Sequence, residues 1–368
     1  AIGTCNATIE VLKNSEILSD ADKTTKISEV RGVRAFWYYV MLDNWGNIPL
    51  VTDYNDKELP TCKTRQEVFD WLLSEVKEIS ATCPEASSET YGQFTKGAAN
   101  TLLAKMYLNA DAWGVTTSGN NYQQVIENCD KVMATEYYIL EPVWKDNFSI
   151  TNNKSREAIF ACSFSSSDTD DKNQMMNQTL HYKDYLAFGA QPEYVRLFSD
   201  DDPRKDATFL TGVMKDISTG EPILTGHGFV LDHTIDVTML PGTEYDGTTW
   251  GAVNQHDGAR CFKWEYAKDL VDAMENDFHI FRLADVYLMK AEALLRSGGS
   301  VSEATQLVNA IRERAYGDSS HNYESVDLDK VQLERRLELA WENTSRQDDI
   351  RFGCFEQGMW PASNCERA

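Results

Sequence analysis

ERRLELAWENTSRQDDIRFG (334–353) is the stretch whose reading decides the fold. Glu334, Arg335, Arg336, Glu338, Glu342, Arg346, Asp348, Asp349 and Arg351 crowd into it, so it is either a carboxylate-bearing active site or part of a scaffold. Leu333, Leu337, Ala340, Trp341 and Thr344 recur at helical spacing and make a core-facing stripe. The charges take the remaining face. Glu342 and Arg346 stand at i,i+4 in the favourable order, Arg335 sits near Glu338, and Asp348 and Arg351 pair across the helix end. A catalytic reading needs two carboxylates in a cleft with split pKa values, and the spacing singles out no such pair. The stretch therefore reads as scaffold: one helix over roughly 327–347, N-capped by Asp327, its charges solvated or ion-paired.

The same helical period recurs on both sides. Helices are expected at 21–44, 65–80, 94–113, 121–135, 281–298 and 300–317, the last capped by Ser300 or Ser302 and stopped by Gly317. Gly46 and Pro49 end the first of these and an extended piece follows; Cys83-Pro84 closes the second. Gly97, Ala98, Ala99 and Ala104 give the 94–113 helix a small-residue side that a neighbour can approach. Helix pairs drawn at 5–44, 65–112 and 281–316 resemble degenerate tetratricopeptide units, while the 121–135 helix leads a pair with no evident partner. Between the two helical regions the chain changes character. EAIFACSFS (157–165) reads as a strand, and residues 165–280 combine many glycines and prolines with many aromatics. A block this long without helical period is usually functional or disordered, and its aromatic content favours function.

The bulk numbers narrow the functional classes. Of 368 residues, 42% are hydrophobic and 25% charged, which is a globular composition. A net charge of −23 repels phosphate backbones and excludes nucleic acid as a partner. No apolar run approaches the ~20 residues of a membrane helix; AFWYYVML (35–42) is a core helix by length. The eight cysteines contain no CxxC pair, which argues against a zinc ribbon and leaves an oxidising location open. Cys62 and Cys83 flank a predicted helix whose length keeps them too far apart to bond. TCNATIEVLKNSE near the start already reads as an amphipathic helix, so the chain is expected to begin inside a domain.

Four segments in order, RGVRAFWYYVMLDNWGNIPLV (31–51), TKGAANTLLAKMYLNA (95–110), FRLADVYLMKAEALLR (281–296) and 334–353, resemble the SusD/RagB family. The resemblance implies a mainly α fold: tetratricopeptide-like helix pairs packed against a loop-rich irregular region with few short strands. It implies one SusD-like domain over 1–368, with helical scaffold at 1–150 and 281–353 and a loop-rich ligand-binding region at 151–280. It further implies a non-catalytic, lipid-anchored outer-membrane protein of the bacterial cell surface. Such a protein captures an oligosaccharide and delivers it to a SusC-like TonB-dependent transporter. The lipid anchor lies outside this chain, and N- and C-terminal parts of the family fold are expected to be absent, since MWPASNCERA replaces a closing YPIP-like segment. Within 334–353, Asn343 and Ser345 stand where Gly and Arg are common, and Asp349 where Leu is usual.

A glycan site needs aromatic platforms for the apolar sugar faces and side-chain donors and acceptors for the hydroxyls. QTLHYKDYLAFGAQPEY (178–194) is the densest run, with His181, Tyr182, Tyr185, Phe188 and Tyr194, and the resemblance favours Tyr182 and Tyr185. EYDGTTWGAVNQHDGAR (244–260) adds Tyr245, Trp250, Asn254, Gln255 and Arg260. The competing reading is that these rings plug the loop region onto the helices. No cofactor is implied. Asp168, Asp170, Asp171 and Asn173 resemble half of a calcium loop but lack its Gly and distal Glu, and His227 and His233 have the wrong spacing for a helical zinc pair. Three rivals remain: a peptide-binding RagB-like member, a plain tetratricopeptide scaffold, and a glycoside hydrolase drawing on Glu193, Asp200–Asp202, Asp232 or Asp236.

Overall fold

Side-chain caps set where most of the long helices begin in the computed structural model, which describes residues 1–165, 189–216, 219–224, 228–237, 257–265 and 274–356. The N-terminal half holds α1 (Ile2–Lys13), α2 (Asp20–Trp45), α3 (Arg65–Ser80), α4 (Lys96–Trp113) and α5 (Asn121–Met133). Two single turns follow, α6 (Pro192–Val195) and α7 (Arg204–Thr208). The C-terminal part holds α8 (Leu283–Arg296), α9 (Val301–Tyr316), α10 (Leu328–Glu338) and α11 (Ser345–Arg351). Ser19, Thr64, Thr95, Asn120, Ser300 and Asp327 each accept the backbone N–H three residues on, and Glu67 completes a capping box at Thr64. Left-handed glycines end α4 (Gly114, φ 67°) and α9 (Gly317, φ 85°).

The long helices form one array. α1 to α5 pack each against the next, α5 packs on α8, and α8 on both α9 and α10. The partner that the 121–135 helix lacked in sequence is therefore α8, more than a hundred residues away; Lys290 of α8 reaches Asp130 of α5 at 2.6 Å. Small residues allow the close contacts. A Cβ on Gly32 would stand 2.0 Å from the Phe94 ring, and one on Gly97 2.3 Å from the Tyr138 hydroxyl. The main core draws on both halves, from Tyr38, Phe69 and Leu102 to Val286 and Met289.

The strands are short and paired: β1 (Ile48–Pro49) with β2 (Cys62–Lys63), β3 (Ala158–Cys162) with β8 (Phe278–Arg282), β4 (Phe209–Leu210) with β7 (Arg260–Cys261), and β5 (Gly212–Val213) with β6 (Asp232–His233), all antiparallel. The β3–β8 ribbon, with bulges between Ala158 and Ala161, closes the base of the loop-rich block, because the chain enters that block at β3 and leaves it at β8. The fold is thus mainly α, helix pairs joined to an irregular region with few short strands, as the resemblance implies. The seven described cysteines are free thiols.

The 334–353 stretch departs from expectation in two ways. It is not one helix: α10 ends at Glu338, Trp341 (φ 66°) and Asn343 (φ 60°) turn left-handed, and α11 starts at Ser345. Its charges are ion-paired, and most are buried rather than on a solvated face: Glu334 and Glu338 are fully buried and Arg335, Arg336 and Asp348 nearly so, while Arg346 stays exposed. The pairs also differ from the local ones expected. Asp348 does meet Arg351 at 2.7 Å, but Glu342 binds Arg282 and Lys263, Arg346 binds Asp43, and Arg335 binds Asp285 and Asp348. The apolar stripe holds: Leu337 and Ala340 pack with Phe198 and Phe209, flanked by Leu333 and Trp341.

Candidate functional site

A cleft of about 780 Å³ opens where the helical array meets the loop-rich region. Its volume falls within the roughly 300–1,000 Å³ usual for ligand pockets. The last turns of α2 supply one wall, since Phe36, Tyr39, Val40, Asp43 and Asn44 fall at i, i+3, i+4, i+7 and i+8, one helical face. β8 adds Phe278, Ile280 and Phe281, the segment before and within α6 adds Gly189, Ala190, Gln191 and Tyr194, and the left-handed turn adds Trp341 to Gln347. The floor is aromatic: Phe36 stacks edge-on against Phe281 at 5.8 Å between ring centres, and Tyr194 against Phe209 at 6.3 Å. The rim is amide-rich, with Asn44, Gln191, Asn343 and Gln347.

Hydrogen bonds fix this wall. The Tyr39 hydroxyl shares a bond with the Gln347 amide, and Arg346 binds Asp43 at 2.7 Å, so α2 and α11 are clasped across the cleft. Tyr194 donates to the Arg336 carbonyl at 2.7 Å. The Trp341 indole N–H is buried without a hydrogen-bond partner among the described residues.

Behind the wall lie two buried ion networks. Glu338 binds Arg282 and Arg314, both at 2.6 Å, and Arg204 at 3.2 Å, while Glu157 joins Arg282 and Arg314 from β3's side. Asp285 binds Lys105 at 2.5 Å and Arg335 at 2.8 Å. Burial alone would raise the Glu338 and Asp285 carboxyls; the facing guanidiniums, with Lys105 for Asp285, outweigh it and hold both well below the usual carboxylate range. Burial dominates at Lys263, whose ammonium is pushed down to about 8 although Glu342 opposes the shift. That ammonium donates to the Glu338 and Ala340 carbonyls at 2.8 Å each, taking the free carbonyls at the end of α10.

The residues singled out in sequence are placed unevenly. His181, Tyr182, Tyr185, Phe188, Tyr245, Trp250, Asn254 and Gln255 lie outside the described residues, as do Asp168, Asp170, Asp171, Asn173 and His227. Tyr194 and Arg260 are described: Tyr194 lines the cleft while packing against Phe198 and Phe209, and Arg260 is fully buried on β7. His233 is buried on β6. Of the hydrolase candidates, Asp202 is buried against Arg204 at 2.8 Å, and Asp200, Asp201 and Asp236 pair with Lys205, His321 and Arg196. Among the described residues no group of three or more His, Cys, Asp or Glu side chains is placed to hold a metal ion, and no helix is long and apolar enough to cross a membrane. Sequence reading missed the 341–347 wall by taking it as helix. The run Asn343-Thr344-Ser345, three residues that favour turns and caps over helix interiors, was the available signal.

Residues 141–367 match the family model SusD_RagB, described as the SusD family. The chain belongs to the SusD family. As a SusD family chain it is 26% identical over 387 residues to the starch-binding protein SusD of Bacteroides thetaiotaomicron, covering 94% of this chain and 67% of that protein. It spans about two thirds of the length of the curated relatives it matches. Among solved structures, a SusD-like fold with a xylogluco-oligosaccharide superimposes with a TM-score of 0.74 at 21% identity, covering 96% of this chain and 70% of that one. A laminarin binding SusD-like protein gives 0.71 at 22% identity, covering 98% and 78%.

Proposed function

We propose that this SusD family chain is a glycan receptor of the bacterial cell surface. It captures an oligosaccharide and hands it to a TonB-dependent transporter of the outer membrane, to which a lipid anchor tethers it. The observation that carries the reading is the cleft itself, whose aromatic floor suits the C–H faces of sugar rings and whose amide rim suits their hydroxyls. Gly189, Gln191 and Tyr194 on its wall belong to the 178–194 run, the same run of sequence that holds Tyr182, Tyr185 and His181, the first set of platforms in this reading. Tyr245, Trp250 and Asn254 are the second set of platforms in this reading. The relatives support the ligand class: one is named starch-binding, one laminarin binding, and one carries a xylogluco-oligosaccharide. Among the described residues the cleft carboxylates Asp43, Glu342 and Asp349 are each engaged by a cation.

Affinity gel electrophoresis of the purified chain against soluble polysaccharides tests this, with Tyr182→Ala/Tyr185→Ala and Trp250→Ala alongside. The expected result is retardation by at least one polysaccharide, weakened about tenfold when a stacking platform is lost, on the scale of 1–1.5 kcal/mol per aromatic contact. Release of reducing sugar, or no retardation by any polysaccharide, defeats the proposal.

A further inference from the structure

We infer that the cleft takes uncharged sugar residues and rejects glycans bearing uronic or sialic acids, an inference that rests on the glycan reading above. The argument is electrostatic and has a local and a global part. Locally, the described lining carries three cations, Lys105, Arg336 and Arg346, and three anions, Asp43, Glu342 and Asp349. Each is already engaged: Lys105 with Asp285, Arg336 with Asp349 at 2.5 Å, Arg346 with Asp43, and Glu342 with Arg282 at 2.7 Å. A sugar carboxylate entering here meets no free guanidinium among the described residues. It has to displace an internal partner, leaving a half-buried carboxylate uncompensated, or to lose its own hydration without return. A neutral sugar faces neither cost, because aromatic faces and the rim amides ask only for C–H surfaces and hydroxyl groups.

Globally, the chain's net charge of −23 repels a polyanion before it reaches the cleft. The two parts point the same way, though they depend on different residues. They also set the expected salt response. Binding of a neutral glycan to a site with compensated charges should hardly respond to ionic strength, whereas a charged ligand held by ion pairs responds steeply.

Isothermal titration calorimetry of the full chain tests the inference, with laminarin, xyloglucan and amylopectin as neutral probes and polygalacturonate as the anionic one. Wild type is compared with Gln191→Ala and with Asn44→Ala, each of which removes an exposed rim amide. Thermal melting confirms that both variants fold. The expected result is that a neutral probe binds, with affinity changing less than about twofold between low and high salt. Gln191→Ala and Asn44→Ala should each weaken it by about threefold, a lost hydrogen bond's worth, while polygalacturonate gives no heat. Tighter binding of polygalacturonate than of every neutral probe overturns the inference. So does wild-type affinity in both variants, which removes the cleft while leaving the glycan reading standing. Silence with all four probes defeats the glycan reading and this inference together.

Discussion

His279 on β8 shows how much a single buried side chain contributes. It is nearly inaccessible, its Nε2 lies 3.3 Å from the Tyr91 hydroxyl, and burial, reinforced by the Arg282 charge, pushes its pKa from the usual range down to about 4. Between pH 6.5 and about 4 the unfolded chain takes a proton that the native chain refuses. Stability is therefore lost as pH falls through that window, by about 3 kcal/mol in total, and the loss levels off below it. Paired carboxylates such as Glu338 and Asp285 are held low, so their contribution is complete above the ordinary carboxylate range and starts to fall as pH enters it, which leaves the upper part of the window to His279. Urea midpoints measured from pH 7 to 4.5 should decline in wild type and stay nearly level in His279→Gln; parallel declines would sink the assignment. Asn343 poses a backbone question instead. It holds φ 60° on the cleft wall, where Cβ crowding costs other residues about 1–2 kcal/mol. Asn343→Gly should leave the unfolding free energy within a few tenths of a kcal/mol, and Asn343→Val should lower it by about 1–2 kcal/mol. Equal stability of the two variants would show that the turn relaxes.

α10 is the element in which sequence and structure diverge most usefully. Its apolar stripe and its Asp327 cap were legible, because both are local patterns that the chain carries wherever the helix goes. The burial of its charges was not, because their partners come from elsewhere: Arg204 from α7, Arg282 from β8, Arg314 from α9 and Asp285 from α8. Nor was its early end. Leu339 and Ala340 favour continuing the helix, but the Lys263 ammonium binds the Glu338 and Ala340 carbonyls there. β8 was hidden for the same reason, since Phe278–Arg282 is made a strand by β3, far back in the chain. These networks carry a testable asymmetry. Arg282→Ala strips a cation from Glu157, Glu338 and Glu342 and should cost about 3–5 kcal/mol, the usual penalty for leaving a buried charge unpaired. Arg196→Ala breaks an exposed, solvent-screened pair with Asp236 and should leave the unfolding midpoint close to that of wild type. Chemical unfolding of the two variants side by side checks this; comparable losses would mean that the buried network is not the stronger tie.

For the whole molecule the question is whether two helical regions separated by the loop-rich block fold as one body. The order of the helices was legible from period and caps, but the cleft was not, since its walls come from 36–44, 189–194, 278–281 and 341–349 and meet only in the folded chain. At 368 residues the chain exceeds the ~150-residue range in which all-or-none unfolding is the norm, so independent melting of the two regions is the default expectation. The packing argues otherwise. One core cluster runs from Ala35 on α2 through Val125 on α5 to Met289 on α8, and the β3–β8 ribbon supplies Phe160 and Phe281 to it. A region that shares its core with another cannot expose that core alone without losing the contacts of both. Met289→Ala, at a fully buried position on α8, should therefore cost about 2–5 kcal/mol not only locally but throughout the array. Hydrogen–deuterium exchange read by mass spectrometry separates the cases. If the array is one cooperative unit, the slowest amides of α2 and α8 report the same opening free energy in wild type, and both fall by the same amount in Met289→Ala. A fall confined to α8, with α2 protected as before, would divide the scaffold in two and place the boundary at the α5–α8 contact.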